Sequence, residues 1–122
     1  MEVRQGDIFW IDLDEPSGSE PGFTRPVVVI QNNVFNQSSL HTLLVTALTT
    51  NMERGKAAGN VLLNKGEAQL PKPSVVVVSQ TAAIDRSLLR EKIGTLSKSR
   101  IDQIIAGIKL MIEPRELEEF GQ

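Results

Sequence analysis

The feature that most constrains the fold of this sequence is a run of four consecutive valines at residues 75–78. β-branched side chains lose rotational freedom in a helix and pack well on a pleated surface, so the run predicts a strand. Because successive side chains of a strand point to opposite faces, an entirely apolar strand must be covered on both faces. The chain therefore has to build its core around a strand at residues 74–79.

Five other segments carry the pattern of short strands, and clusters of turn-forming residues separate them. These segments cover residues 8–13, 27–30, 42–48, 60–63 and 90–96. Short strands at this spacing are typical of a barrel or a compact sandwich. We expect a mainly β fold.

The C-terminal part of the sequence changes to a helical period. Isoleucines at positions 101, 104, 105, 108 and 112 form one apolar stripe, which predicts an amphipathic helix. Ser97 or Ser99 is placed to cap this helix, and Pro114 prevents its extension. We expect one domain over residues 1–114 and a polar tail at residues 115–122, since a chain of 122 residues suits a single core.

The composition excludes several classes of protein. The chain contains no cysteine, so a disulfide scaffold and a cysteine-ligated metal site are excluded. No apolar run approaches the length of about 20 residues that spans a membrane, and the N-terminus lacks the apolar core of a signal peptide. We expect a cytoplasmic protein that has no membrane partner.

Positive charge is concentrated in the middle of the chain, although the net charge is −2. Residues 54–100 contain nine lysines and arginines against three acids, Lys56 and Arg86 among the nine. These cations could form a basic face that binds phosphates. A scatter of charges over a solvated surface is an equally good interpretation, because the sequence does not show which cations lie together.

The titratable residues favour a reaction in which the substrate supplies its own nucleophile. His41 is the single histidine, so one subunit cannot hold a two-histidine acid/base pair. The sequence also lacks the motifs of zinc proteases, serine hydrolases, phosphate-binding loops and EF-hands. Intramolecular RNA cleavage remains possible, because the ribose 2′-hydroxyl attacks the adjacent phosphate and the protein only orients it and stabilises charge. We expect no metal and no cofactor.

Arg25 is the candidate for charge stabilisation. It lies where a polar segment, residues 14–24, meets an apolar strand. Its guanidinium stays protonated at any relevant pH and offers a planar fork of donors that matches phosphate oxygens. A surface arginine that merely closes a loop is the commoner case, so the residue type alone leaves both interpretations open.

Short motifs along the chain resolve this choice. The N-terminal part contains Gly6-Asp7-Ile8, Gly18-Ser19-Glu20 and Arg25-Pro26-Val27-Val28, and the later part contains Val45-Thr46-Ala47-Leu48-Thr49-Thr50, Ser79-Gln80 and Ile84-Asp85. In this order the motifs resemble those of the MazF/PemK family of toxin endoribonucleases. The likeness spans roughly residues 3–112, which is most of the chain.

The resemblance implies a fold and a function. The fold is a small SH3-like β-barrel with a C-terminal helix, of the MazF/CcdB toxin type. The function is that of the toxin of a type II toxin–antitoxin system, a homodimeric, sequence-specific endoribonuclease that cleaves single-stranded RNA, including mRNA, without metal. The implied partners are RNA and a cognate MazE-like antitoxin, with operator DNA contacted only through the antitoxin.

The resemblance also assigns roles to individual residues. It makes Arg25 and Thr49 catalytic, with Thr50 able to exchange roles with Thr49 if the strand register shifts. It also gives supporting or RNA-binding roles to Ser19, Glu20, Thr50 and Gln80. The residues themselves add Phe23, an aromatic residue beside Arg25, and Lys56 and Arg86 of the basic segment as further RNA-binding candidates.

Two positions depart from the family pattern, and they keep alternatives open. Relatives commonly carry charged residues where this chain has Ser79 and Ala82. A catalytically silent SH3-like binding module is therefore one alternative, and a non-enzymatic CcdB-like gyrase poison on the same fold is another. Among the aromatic residues, we expect Trp10 to lie in the core and Phe23 to be exposed for stacking. His41 is a further candidate for a position near the site.

Overall fold

A computed structural model describes residues 1–13 and 23–117 of the chain. Six strands, two α-helices and three single-turn 3₁₀ segments make up its secondary structure. The strands are β1 (Asp7–Leu13), β2 (Phe23–Val29), β3 (Thr42–Thr49), β4 (Val61–Leu63), β5 (Ser74–Asp85) and β6 (Leu89–Thr95), the helices are α1 (Asn33–Asn36) and α2 (Lys98–Ile112), and the 3₁₀ segments are Met52–Lys56, Glu67–Gln69 and Arg86–Leu88.

The six strands form one antiparallel sheet in the order β4-β5-β3-β2-β1-β6. The sheet curls into a half-barrel, and β4 and β6 form its two edges. All six predicted strands and the C-terminal helix are present, so the predicted mainly β fold is confirmed. The four-residue helix α1 was not predicted, because the turn-forming residues that precede and follow it obscure so short an element.

Side-chain alternation divides the apolar residues between the two faces of the sheet. Ile8 and Val28 contribute to a core cluster that includes Ile104 of α2. Phe9 and Val27, each one residue away, contribute to a second cluster on the opposite face. Because the central strands have an apolar cluster on each face, their sequences are nearly continuous in apolar residues.

Strand β5 is twice as long as the valine run predicted. Its register against β3 jumps from Thr46↔Thr81 to Leu48↔Val76, so four residues of β5 bulge opposite a single residue of β3. The Thr46 and Thr81 hydroxyls are 2.7 Å apart, and the Thr81 hydroxyl also donates to the Val78 carbonyl. The second half of β5 is polar and partly exposed, which is why hydrophobicity alone ended the strand too early.

Helix α2 packs across the face that contains Ile104. Ser97 is its N-cap, as predicted, and its hydroxyl accepts a hydrogen bond from the Arg100 amide at 3.3 Å. Gly107 permits close approach to the backbone, since a Cβ at this position would lie 2.1 Å from the Gly59 carbonyl oxygen. In the described part of the chain, no helix is both long and apolar enough to cross a membrane.

The connection between β4 and β5 is held against α2 and β6. Glu67 accepts two hydrogen bonds from the Arg100 guanidinium, at 2.9 and 2.6 Å. Gly94 of β6 lies against the backbone of Ala68, where a Cβ would be 2.1 Å from the carbonyl oxygen. The Arg100 hydrogen bonds hold the pKa of the Glu67 carboxyl below its usual value. This connection is therefore fixed at several points.

We predict that Gly107→Ala destabilises the protein. In an exposed helix interior the same change would stabilise by roughly 1 kcal/mol, but here the new methyl group meets the Gly59 carbonyl. We expect a net loss of about 1–3 kcal/mol, the usual cost of overpacking. Thermal unfolding of the Gly107→Ala protein measures this loss. Ser99→Ala, a change at an exposed position of the same helix, is the control. A melting temperature equal to or above that of the wild type would show that the contact is not tight.

We further predict that Glu67→Gln destabilises the fold in a pH-dependent way. Because the folded-state pKa of Glu67 is lowered, its contribution is complete above the unfolded-state pKa of about 4.3 and is lost as the pH falls through the folded value. We expect a loss of about 1–2 kcal/mol at pH 7 and a smaller loss at pH 3. Urea unfolding at both pH values tests this, and Glu53→Gln, which breaks the exposed pair with Lys56, is the control.

Candidate functional site

The register of the sheet brings Arg25 and Thr49 together. Val27 and Ala47 are the last pair of the β2–β3 ladder. Arg25 precedes Val27 by two residues and Thr49 follows Ala47 by two, so the extrapolated antiparallel register sets Arg25 across from Thr49. Side chains two residues apart share a face, so both point to the face of Val27 and Ala47. Side chains directly opposite each other have Cβ atoms roughly 5 Å apart, so Arg25 and Thr49 can act on one group.

Arg25 is poised to bind an anion. Its side chain is half-buried in β2, and its neighbour on the other side is Ile11 of β1. No carboxylate or carbonyl in residues 1–13 and 23–117 holds its guanidinium, in contrast to most arginines of this chain. A cation anchored at its base by a strand and left unneutralised at its tip is suited to a phosphate group.

Thr49 and Thr50 differ in exposure and direction. Thr49 is the last residue of β3, and its hydroxyl accepts a hydrogen bond from the Asn51 amide at 3.1 Å. Its own proton is thereby left available to donate to a ligand oxygen. Thr50 is exposed and follows the end of the strand. The register thus favours Thr49 over Thr50 as the partner of Arg25.

Gln80 carries an unsatisfied polar atom. It lies in the bulge of β5, and its Oε1 is buried without a hydrogen-bond partner among the described residues. A buried acceptor that lacks a donor costs roughly 1–3 kcal/mol, and such groups often mark a ligand site. This observation supports the prediction that Gln80 serves a ligand.

Lys56 and Arg86, both predicted to contact RNA, have different surroundings. Lys56 lies in the Met52–Lys56 turn, where its ammonium is highly exposed and pairs with Glu53 at 2.9 Å. The guanidinium of Arg86 donates to the carbonyl of Leu40 at 2.9 Å and to that of Asn36. Arg86 is therefore engaged in holding the backbone between α1 and β3.

Arg86 is also remote from Arg25 and Thr49. It follows Asp85, which pairs with Thr42 at the first residue of β3, whereas Thr49 is the last. Seven residues of strand separate the two ends by roughly 23 Å. His41 lies at the same remote end, where its carbonyl accepts from the Arg86 amide at 2.9 Å. His41 is exposed at this end of the strand, which agrees with the interpretation that a histidine at such a loop-to-strand junction is a surface residue.

The predicted basic face is largely neutralised. Of the nine cations in residues 54–100, five form ion pairs with carboxylates, which are Lys56–Glu53, Arg90–Asp12, Lys92–Asp7, Lys98–Asp102 and Arg100–Glu67. Arg86 binds carbonyls instead. For Arg54, Lys65 and Lys72, no ion-pair partner lies within the described ranges. The charge count of this segment therefore overstates the positive surface that a ligand meets.

Three predicted residues fall wholly or partly outside the description. Ser19 and Glu20 lie outside the described residues. The backbone of Phe23 begins β2 and pairs with Leu13, but its side chain is likewise outside the description. The roles expected for these residues stay predictions.

Trp10 is not a core residue, contrary to expectation. It is half-buried and pairs with Pro26, and both line a cleft of about 200 Å³ together with Thr50, Leu70, Lys72 and Ile93. Pro26 and Thr50 directly follow Arg25 and Thr49, so this cleft adjoins the candidate site. Sequence analysis missed it because only the pairing of β1 with β2, and the folding of the β4–β5 connection, bring its walls together.

Ser79 and Ala82, where relatives commonly carry charge, are both exposed. Within the described residues, no group of three or more histidine, aspartate or glutamate side chains is arranged to hold a metal ion.

Comparison with known proteins shows what this chain is similar to. Residues 4–112 match the family model described as the PemK-like, MazF-like toxin of type II toxin-antitoxin systems. Endoribonuclease MazF6 of Mycobacterium tuberculosis is 32% identical over 113 residues, which cover 93% of this chain and 99% of the relative. Endoribonuclease MazF of Staphylococcus epidermidis is 36% identical over 102 residues, 84% of each chain.

Solved structures have the same fold. The M. tuberculosis toxin MazF-mt6 superposes with a TM-score of 0.71 at 24% identity, over 90% of this chain and 99% of that one. A MazE-MazF structure from Deinococcus radiodurans gives a TM-score of 0.77 at 15% identity, over 94% and 99% of the two chains. Because the family model matches nearly the whole domain, this chain belongs to the PemK/MazF-like toxin family of type II toxin–antitoxin systems.

Proposed function

We propose that this protein is a toxin that cleaves single-stranded RNA at specific sequences, without a metal ion. The observation that carries the proposal is the placement of Arg25 opposite Thr49 on one face of the sheet, with no neutralising partner for Arg25 among the described residues. The relatives that are named endoribonucleases MazF support it. Their names also favour an enzyme over a gyrase poison or a silent binding module.

The proposed reaction is an internal transfer of the phosphate. The ribose 2′-oxygen forms a bond to the adjacent phosphorus, and the bond from phosphorus to the 5′-oxygen breaks. The 2′-hydroxyl gives its proton to solvent water and the departing 5′-oxygen takes one from solvent, so the products are a 2′,3′-cyclic phosphate and a 5′-hydroxyl. No water is consumed in this step, so the reaction does not require a group that activates water as a nucleophile.

Arg25 and Thr49 have separate roles in this reaction. Arg25 stabilises the additional negative charge of the pentacoordinate phosphorus, where a preorganised cation is most effective. The Thr49 hydroxyl donates a hydrogen bond to a non-bridging phosphate oxygen, which holds the phosphate in line for attack. The Asn51 amide, which donates to the Thr49 oxygen, orients that hydroxyl.

Other residues position the RNA. Gln80 donates or accepts at a base edge, since its Oε1 has no partner among described residues. Ser19, Glu20 and Phe23 precede Arg25 and contact the nucleotides around the scissile bond. Thr50 and Lys56 extend this surface, whereas Arg86 has the structural role described above and no direct contact with RNA.

We propose that activity is controlled by a cognate antitoxin that occupies the RNA site. The D. radiodurans relative has been solved together with MazE, and an acidic chain segment would complement Arg25, whose guanidinium has no carboxylate partner among the described residues. The toxin acts as a homodimer in the cytoplasm, where its RNA substrate is found. Operator DNA is contacted only through the antitoxin.

Arg25→Ala is predicted to reduce the cleavage rate by about 10²-fold or more, comparable to the loss of one oxyanion donor. Thr49→Ala should cost less, because a neutral hydroxyl stabilises developing charge less than a guanidinium does. Initial rates on a fluorogenic RNA measure both changes. Arg4→Ala removes one exposed arginine at the opposite end of β1 and should leave the rate unchanged. Near-wild-type cleavage by Arg25→Ala would refute the assignment.

The choice of nucleophile can be tested on the substrate. We expect an RNA with one 2′-O-methyl group on the 5′ side of the scissile bond to bind but to resist cleavage, and DNA to remain intact. Cleavage of the unmodified RNA should persist in excess EDTA and yield a cyclic phosphate by mass spectrometry. Cleavage of the blocked RNA at a comparable rate would mean that water attacks. Loss of activity on chelation, restored by magnesium, would refute the metal-free reaction.

A further inference from the structure

The cleft beside the catalytic pair has the composition of a nucleotide site rather than of a gap in the core. Its volume is about 200 Å³. Its walls are largely apolar, with Trp10, Pro26 and Ile93 among them. Among the described residues that line the cleft, Lys72 carries the only charge and none is a carboxylate. This composition suits a flat apolar group that is attached to an anion.

The position of the cleft connects it to the scissile phosphate. Pro26 and Thr50 line the cleft, and they are the immediate neighbours of Arg25 and Thr49. Adjacent residues of a strand point to opposite faces, so the cleft lies on one side of the sheet and the catalytic pair on the other. Both are formed where β2 begins and β3 ends. An RNA strand bound at Arg25 can therefore bend around this end of the sheet into the cleft.

The outer wall of the cleft is held in place. Leu70 is 3% exposed and Lys72 follows it in the β4–β5 connection. The Glu67–Arg100 pair and the contact of Gly94 with Ala68 anchor this connection immediately before Leu70. A preformed slot loses less entropy on binding than one that must be assembled.

The residues that a ligand would use have no competing partners in the structure. Neither the Lys72 ammonium nor the Trp10 indole nitrogen forms a hydrogen bond within residues 1–13 and 23–117. Proteins that bind single-stranded nucleic acid combine such aromatic surfaces with nearby cations, because every base has a π-face and every nucleotide a negative charge.

We propose that this cleft is a nucleobase subsite, in which one base flanking the scissile phosphate stacks on Trp10 and the phosphate of that nucleotide contacts Lys72. The inference rests on the proposed function, since it requires RNA at Arg25. Stacking of a base in the cleft would add to the affinity for RNA, beyond the contacts that Arg25 and Thr49 make with the phosphate. A base removed from this position should weaken binding by about tenfold, because stacking on an aromatic side chain contributes roughly 1–3 kcal/mol.

Trp10 itself reports on the cleft, because it is the single tryptophan and the chain has no tyrosine. The probe is an RNA that contains a mapped cleavage site, blocked by a 2′-O-methyl group and labelled at one end. A series of this RNA carries one abasic residue at each position around the site. Tryptophan emission and label anisotropy are measured in the same titration. We expect the intact RNA to quench Trp10, and one abasic position to abolish quenching while binding weakens about tenfold.

Variants separate the two contacts. Lys72→Ala should weaken RNA binding and reduce the dependence of the binding constant on salt concentration by about one phosphate contact. Lys65→Ala, in the same connection but not among the residues that line the cleft, is the control and should change neither. Trp10→Phe should retain most of the affinity, and Trp10→Leu should lose it while keeping a cooperative thermal transition. Equal affinity of the Phe and Leu variants would overturn stacking.

The outcomes distinguish this inference from the proposed function. Binding and cleavage of RNA without quenching of Trp10, or with equal quenching by every abasic RNA, would overturn the subsite and leave the endoribonuclease intact. Failure to bind or cleave any RNA would overturn both. Quenching by the antitoxin alone, with no response to RNA, would overturn the subsite and assign the cleft to protein binding.

Discussion

The structure depends on the antiparallel register of β2 and β3. A slip of either strand by one residue would exchange side chains between the two clusters, and neither cluster would then be well packed. The pairing of Val27 with Ala47 is thereby fixed, and with it the position of Arg25 opposite Thr49. A guanidinium that must meet a phosphate within a few tenths of an ångström gains from this rigidity, because its base cannot drift. The same valines and leucines that stabilise the core thus also set the geometry of the proposed reaction.

Ion pairing determines which cations remain for a ligand. Most lysines and arginines of the basic segment pair with carboxylates, some of which lie far away in sequence, such as Asp12 for Arg90. Arg86 instead joins the end of β5 to the backbone before β3. The cations without such partners in the described structure include Arg25 at the end of the sheet and Lys72 at the adjoining cleft. Positive charge is therefore local, which agrees with a chain whose net charge is negative and which must select RNA without binding every polyanion.

The connection between β4 and β5 links stability to the proposed site. Glu67 and Arg100 tie it to α2, and Gly94 lets it lie directly on β6. Its continuation, from Leu70 to Lys72, forms one wall of the cleft. Ala68 and Gln69 have positive φ angles, 50° and 61°, an uncommon conformation for residues other than glycine. The hydrogen bonds between Glu67 and Arg100 and the contact of Gly94 with Ala68 hold this conformation in place.

Local pattern determined the elements of this protein, and long-range pairing determined its site. The valine run, the alternation in β1 and the isoleucine period of α2 predicted the strands and the helix, because burial imposes those periods directly on the sequence. The motifs around Arg25 and Thr49 predicted the family and the catalytic pair. The bulge in β5, the neutralisation of the basic segment, the structural role of Arg86 and the half-buried position of Trp10 could not be predicted, because each depends on residues that are distant in the chain. Which side chains meet, and which cations are left without a partner, is decided only when the sheet has folded.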